Sequence, residues 1–346
     1  QLKESRTCRS YDTYEILARC VPFLPSPAVH ALLGPIVGVL ESPHRTPKKV
    51  VIMREMLRRA VTGLSANPTV RTPHLLVYVR VLVDDNVGNT GAASLGQRGR
   101  AKPRVTKWLL NKESHESERL RRPAIDNMKV QAEVKLTGRD RYKRGKASQK
   151  SGAPTIVWFA LSLLNAVLKR GRVATSSPRI RGMLEPFEAT LAALLKSSRD
   201  NDVLVSSLRA LAYMAPLPLS THATVLPKAT KTVLKLIEQS TGDDGVTGSG
   251  GRKGKGKGGG IGSSRSELCS ASLRTLTAWM RLVDRVKISD NQLRALLVLV
   301  ADDLRVGERQ SAAFSLLRAI IARRLVVPEV YDVMDSVADM LVRSLR

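Results

Sequence analysis

The closing stretch ERQSAAFSLLRAIIARRLVVPEVYDVMDSVADMLVRSLR, Glu308 to Arg346, most constrains what this chain can fold into. It holds two apolar-patterned segments separated only by RRLVVPE. In the first, Ala312, Ala313, Leu316, Leu317, Ile320 and Ile321 recur at three- and four-residue intervals. In the second, which opens at Pro328, the series is Val330, Val333, Met334, Val337, Leu341 and Val342. Such spacing places each set along one side of an α-helix. A helix of the same kind precedes them. Ser289 followed by Gln292 is a capping-box arrangement, and Leu293, Leu296, Leu297 and Val300 form its apolar face. Three one-sided helices in a row cannot bury themselves and need neighbours.

The same unit recurs upstream. Helical patterning covers Pro154 to Arg170, restarts at Ser177-Pro178, continues with Val203, Leu204, Leu208, Leu211 and Ala212, and returns in the helix holding Leu273, Leu276, Trp279, Met280 and Val283. Between them, THATVLPKATKTVLKLIEQ contains Pro227, which predicts a kink or a late helix start. In the first third, Ser26-Pro27, Thr46-Pro47 and Thr72-Pro73 each offer a capping hydroxyl followed by a proline at the first helical position. Val29, Leu32, Leu33, Ile36, Val37 and Leu40 form one face there, with Gly34 and Pro35 expected to bend or divide the helix. Paired helices of roughly 15 residues repeating about every 35 to 45 residues predict an all-α fold, a HEAT/armadillo-like alpha-solenoid. An irregular helical bundle is the alternative.

Charge constrains partners more than fold. The chain has 57 Lys and Arg against 30 Asp and Glu, a formal net charge of +27. A field of that size favours polyanions over neutral small molecules. From Leu95 to Lys150 there are 17 basic and 6 acidic residues, and a second interruption, STGDDGVTGSGGRKGKGKGGGIGSS, is rich in glycine and lysine. Both read as flexible basic insertions. The expected organisation is helical repeats over 1–87, an insertion over 88–153, repeats over 154–239, an insertion over 240–263 and repeats over 264–346. Candidate RNA-phosphate contacts are Arg98, Arg100, Lys102, Arg104 and Lys107; Arg139, Arg141, Lys143, Arg144, Lys146 and Lys150; Arg252, Lys253, Lys255 and Lys257; and, between the last two helices, Arg323 and Arg324. Helix-end capping is the competing role for that final pair. Aromatic residues make up only 4% of the chain, so phosphates are the expected target rather than stacked bases.

Motifs for chemistry are missing. The glycine-rich run lacks the GxxxxGK[ST] spacing after a strand that a phosphate-binding loop requires. His30, His44, His74, His115 and His222 occur singly, and Cys8, Cys20 and Cys269 are scattered without a metal-ligand spacing. Asp84-Asp85, Asp243-Asp244 and Asp302-Asp303 are adjacent pairs that do not share a helical face. No G-x-S-x-G elbow occurs. These observations predict a non-enzyme with no catalytic residues, no metal, no cofactor and no small-molecule substrate. No apolar run reaches membrane-spanning length, so no membrane association is expected. A start at Gln1 rather than Met fits an excised piece of a longer protein.

Several blocks carry a resemblance: YDTYEILARC, LRRAVTGLSANP (Leu57 to Pro68), LEPFEATLAALLKSSRDNDVLVSSLRAL (Leu184 to Leu211) and, above all, RQSAAFSLLRAIIARRLVVPEVYDVMDSVADM. In content and order they resemble a C-proximal region of the large U3 small nucleolar RNA-associated HEAT-repeat family called down-regulated in metastasis. The resemblance covers about the first 85 residues and most of Pro154 to Arg346. It implies a scaffold in the nucleolus, a component of the small-subunit processome acting in pre-rRNA processing and 40S assembly. The implied partners are processome proteins, pre-rRNA and, as a further candidate, U3 small nucleolar RNA. The alternative is a general HEAT protein-interaction module whose basic segments serve targeting or solubility.

Overall fold

Helices start at the hydroxyl–proline pairs Thr46-Pro47, Thr72-Pro73 and Ser177-Pro178, with a side-chain cap at Thr46 and none at Ser177. The computed structural model describes residues 9–23, 27–42, 46–87, 152–170, 177–241, 261–283 and 286–344. Its helices are α1 (Arg9–Cys20), α2 (Pro27–Glu41), α3 (Pro47–Ala66), α4 (Thr72–Val87), α5 (Ala153–Lys169), α6 (Pro178–Ser197), α7 (Asn201–Met214), α8 (His222–Thr241), α9 (Ile261–Leu282), α10 (Asp290–Leu304), α11 (Gly307–Ala322) and α12 (Pro328–Ser344). Thr46 caps α3 by accepting from the Lys49 amide, and Pro47 fills the first helical position. The box at Ser289 forms in both directions, Gln292 N–H to Ser289 Oγ at 3.5 Å and Ser289 N–H to Gln292 Oε1 at 3.1 Å. The all-α solenoid fold expected from periodicity is the one adopted, with no strand among the described residues. The basic insertions fall almost wholly outside the described residues.

Two units divide the chain, residues 1–163 and 164–346. In the first, α1 and α2 both pack on α3. Gly63 lets α1 and α3 approach: a Cβ there would lie 2.6 Å from Ala18 Cβ and meet the Glu15 carbonyl. Arg59 of α3 bridges to Asp12 and Glu15 of α1 at 3.2 and 3.1 Å, and the Tyr14 hydroxyl donates to the Leu32 carbonyl of α2. Asn67, fully buried at the end of α3, donates from Nδ2 to the Ala18 and Val21 carbonyls at 3.0 and 2.6 Å. Its Oδ1 accepts from the Thr69 amide and hydroxyl. The asparagine thus satisfies carbonyls that the end of α1 leaves without helical donors. Gly34 and Pro35 do not divide α2, which runs unbroken through both with Leu33, Ile36 and Leu40 buried.

In the second unit the pairing repeats. α6 packs on α7 and α8, α7 on α9, α8 on α9, α9 on α11, and α10 on α11 and α12. Helices pair as α6–α7, α8–α9 and α10–α11, and alternate helices stack, so α7, α9 and α11 make one layer while α6 with α8, and α10 with α12, belong to the other. This is how helix pairs with one apolar face each share a core. α7, with neighbours on both sides, buries Val203, Leu204, Val205, Leu208, Leu211 and Met214. Each such aliphatic side chain contributes about 1.5–3 kcal/mol on burial. Polar ties also cross the stack. Asn165 Nδ2 donates to the Ser206 carbonyl, 41 residues on, at 2.9 Å. Thr275 Oγ1 and the wholly buried Trp279 Nε1, both on α9, donate to the Leu208 and Leu211 carbonyls of α7 at 3.1 and 3.4 Å.

Three sequence expectations differ in detail. Pro227 does not delay α8, which starts at His222 and runs through the proline to Thr241. Ile321, expected on the buried side of α11, is 45% exposed, while Leu316, Leu317 and Ile320 are buried. On α12 only Val330 and Val333 are buried; Met334, Leu341 and Val342 face out because α10 contacts one side of the helix.

Candidate functional site

Arg323 and Arg324 are the candidate phosphate contacts that fall among the described residues. Arg323 is the C-cap of α11, and its planar fork turns inward to the end of α9. Nε donates to the Met280 carbonyl at 2.5 Å, Nη1 to the Val286 carbonyl at 3.0 Å and Nη2 to the Val283 carbonyl. Five donors in a rigid fork can hold several orphan carbonyls together, and the positive charge suits the negative end of a helix. Helix-end capping therefore operates here across a repeat boundary, on the preceding helix of the same layer.

Arg324 has φ 53°, left-handed backbone that glycine adopts more easily. Its N–H donates to the Ile321 carbonyl at 2.9 Å and the Leu325 N–H to Ile320 at 3.3 Å, the paired bonds of a Schellman helix end. Its side chain is exposed. Arg98, Arg100, Lys102, Arg104, Lys107, Arg139, Arg141, Lys143, Arg144, Lys146, Lys150, Arg252, Lys253, Lys255 and Lys257 all lie outside the described residues.

The densest polar cluster was not singled out by the sequence. Glu188 of α6 is fully buried and accepts from the Thr221 hydroxyl and from His222 Nδ1, the latter at 2.7 Å. His222 Nε2 faces the Leu217 carbonyl at 2.8 Å. Both ring nitrogens face acceptors, an arrangement that favours the doubly protonated ring. Burial alone lowers its pKa, but the hydrogen bond and charge of Glu188, with the Leu217 and Met214 carbonyls, outweigh this and leave it above 6.5. One turn earlier, Glu185 accepts from the amide and hydroxyl of Ser220 at 3.2 and 2.7 Å. These bonds fasten the α7–α8 loop to α6. A ring with both nitrogens donating has no lone pair to take a proton from a substrate, so the cluster acts as a latch.

The remaining groups follow the same pattern. Phe159, Phe187 and Trp279 are buried. Trp158 receives the Arg54 guanidinium 4.5 Å from its ring centroid. No group of three or more His, Cys, Asp or Glu able to hold a metal occurs among the described residues, where no helix is long and apolar enough to cross a membrane. Asn67 could have been suspected from its place before Pro68 at a helix end. Arg323's acceptors could not, because main-chain carbonyls leave no mark in a sequence.

Fold and ties together define an alpha-solenoid in which buried or half-buried polar side chains such as Asn67, Thr275 and Arg323 tie one helix to another. The U3 small nucleolar RNA-associated protein 20 domain matches residues 1–83. Across 343 residues the chain is 24% identical to the U3 small nucleolar RNA-associated protein 20 of Schizosaccharomyces pombe, covering 99% of this chain and 11% of that protein. It is 25% identical over 347 residues to the protein of the same description from Saccharomyces cerevisiae, covering 99% of this chain and 12% of that protein. The chain thus spans about a tenth of the length of these curated relatives. The resemblance to the U3 small nucleolar RNA-associated family read from its sequence blocks is borne out.

Proposed function

We propose that this chain is a noncatalytic scaffold segment of the nucleolar small-subunit processome, supporting pre-rRNA processing and 40S subunit assembly. The observation that carries the reading is the stack itself. Its most elaborate polar groups, Asn67, Arg323 and the Glu188–His222 pair, bind the protein's own backbone and loops, leaving helix surfaces and the net charge of +27 for partners. The names of the relatives point to U3 small nucleolar RNA particles, and a strongly basic solenoid suits an assembly built on RNA. Processome proteins and pre-rRNA are the partners on this reading, and the nucleolus is the compartment. The segments 88–153 and 240–263 add salt-sensitive phosphate contacts.

Crosslinking in purified pre-ribosomal particles tests this. Crosslinks from this chain to pre-rRNA and to processome proteins are expected; a chain present in the particles but giving neither would refute it. The protein-interaction alternative is separated by deleting 95–150 and 248–262, which leaves RNA recovery unchanged if those segments only target or solubilise.

A further inference from the structure

Several described arginines are held by acidic partners. Arg58, Arg59, Arg80, Arg209, Arg294 and Arg309 each meet a carboxylate. On α8, Lys228, Lys231 and Lys235 are exposed, and among the described residues none makes an ion pair. Their i, i+3, i+7 spacing puts them on one stripe. At the helical rise it extends about 10 Å along the axis.

The surroundings reinforce the stripe. α6, packed beside α8, carries two exposed basic residues, Arg179 near its start and Lys196 near its end. Of the carboxylates on these two helices, Glu188 is buried against His222 and Glu185 is turned onto Ser220, which leaves Glu238. The paired helices α10 and α12 have the opposite balance: Asp290, Asp302, Asp303, Glu329, Asp332, Asp335 and Asp339 against Arg294 and Arg343. A polyanion is therefore attracted to α6 and α8 and repelled by α10 and α12. The exposed aromatic rings of the second unit, Tyr213, Phe314 and Tyr331, lie on α7, α11 and α12. The basic stripe thus lacks the rings on which single-stranded bases stack. Lysine ammonium groups without a base-reading partner suit backbone phosphates.

We propose that Lys228, Lys231 and Lys235, supported by the basic residues of α6, dock the phosphate backbone of double-helical RNA without reading its sequence. This deepens the proposed function and rests on the reading that the chain works on pre-rRNA. Neutralising exposed lysines leaves the core untouched, so the test uses the full chain carrying Lys228→Gln, Lys231→Gln and Lys235→Gln, with its fold checked by circular dichroism. Binding to a short RNA duplex and to an oligouridine strand is measured across a salt series. For the duplex, the logarithmic salt slope is expected to fall by about two to three units, since each lost phosphate contact removes ~0.9. The oligouridine slope is expected to change less. Arg274→Gln, Arg281→Gln and Arg318→Gln on α9 and α11, changed together, serve as the control and are expected to leave the duplex slope within about one unit.

An unchanged duplex slope in the lysine variant overturns the proposal. So does a larger loss in the control, or a stripe that binds polyglutamate but not duplex. Particle crosslinking separates this inference from the reading beneath it. Crosslinks to pre-rRNA that avoid α8 reject the stripe and leave the scaffold reading standing, whereas a chain absent from pre-ribosomal particles rejects the scaffold reading whatever the stripe binds in isolation.

Discussion

Arg323 and Arg324 are adjacent, and substituting them has opposite expected consequences. Removing the Arg323 fork strands the Met280, Val283 and Val286 carbonyls near the interface of α9 and α11. Arg323→Gln is expected to destabilise the chain by about 1–3 kcal/mol in denaturant unfolding. Arg323→Lys recovers little, because one ammonium cannot reproduce the planar fork. Arg324→Gly relieves a left-handed backbone and is expected to stabilise by about 0.5–1 kcal/mol in the same measurement. Loss of stability in the glycine variant would show that the Arg324 side chain makes a contact worth more than its backbone strain. At His222 the sign follows from its raised pKa. The charged ring's contribution is fully present below the unfolded value near 6.5 and is lost as pH rises through the higher folded value. Melting temperature compared between wild type and His222→Gln should therefore differ most at the acidic end, with the gap shrinking as pH rises through that folded value; a gap that widens with pH would contradict a favoured charged ring.

Among the elements, the tightest constraint is the crossing of α1 and α3 at Gly63. The obstructing atoms are backbone and a neighbouring Cβ, which cannot swing away as a long side chain would. Gly63→Ala is expected to cost about 1–3 kcal/mol despite alanine's better helix propensity, measured by chemical denaturation. A neutral or stabilising effect would mean that the two helices separate freely. Helix starts and most buried faces were legible because a capping hydroxyl, a proline and a 3.6-residue period act locally. Leu293, Leu296, Leu297 and Val300 are all buried as their spacing indicates. Ile321, Met334, Leu341 and Val342 were assigned inside for the same reason and face out. Periodicity tells which residues share a side, but burial needs a neighbouring element on that side. LRRAVTGLSANP, singled out only by resemblance, proves to contain both the Gly63 crossing and the Asn67 cap.

At the scale of the whole molecule, a layered stack has nearest-neighbour energetics: a helix is held by the interfaces it shares, and lacks what it does not share. Within the second unit, α7 packs on α6 and α9, and α9 packs on α7, α8 and α11, with Trp279 wholly buried between repeats. α12 packs on α10 and exposes Tyr331, Met334, Leu341 and Val342. Local opening should follow this order, with amide hydrogens of α7 and α9 exchanging only in large opening events and those of α12 in small ones, a spread of about a few kcal/mol. Hydrogen-exchange mass spectrometry on the isolated chain checks it peptide by peptide. Arg323→Gln adds a directional test, since it cuts the tie between the ends of α9 and α11 and leaves α6–α7 contacts alone. Protection should fall in peptides spanning 276–290 and 316–330 while 201–214 changes least. Uniform loss of protection across the second unit would instead mean that it opens as one cooperative body, and the repeat-by-repeat account of its stability would be wrong.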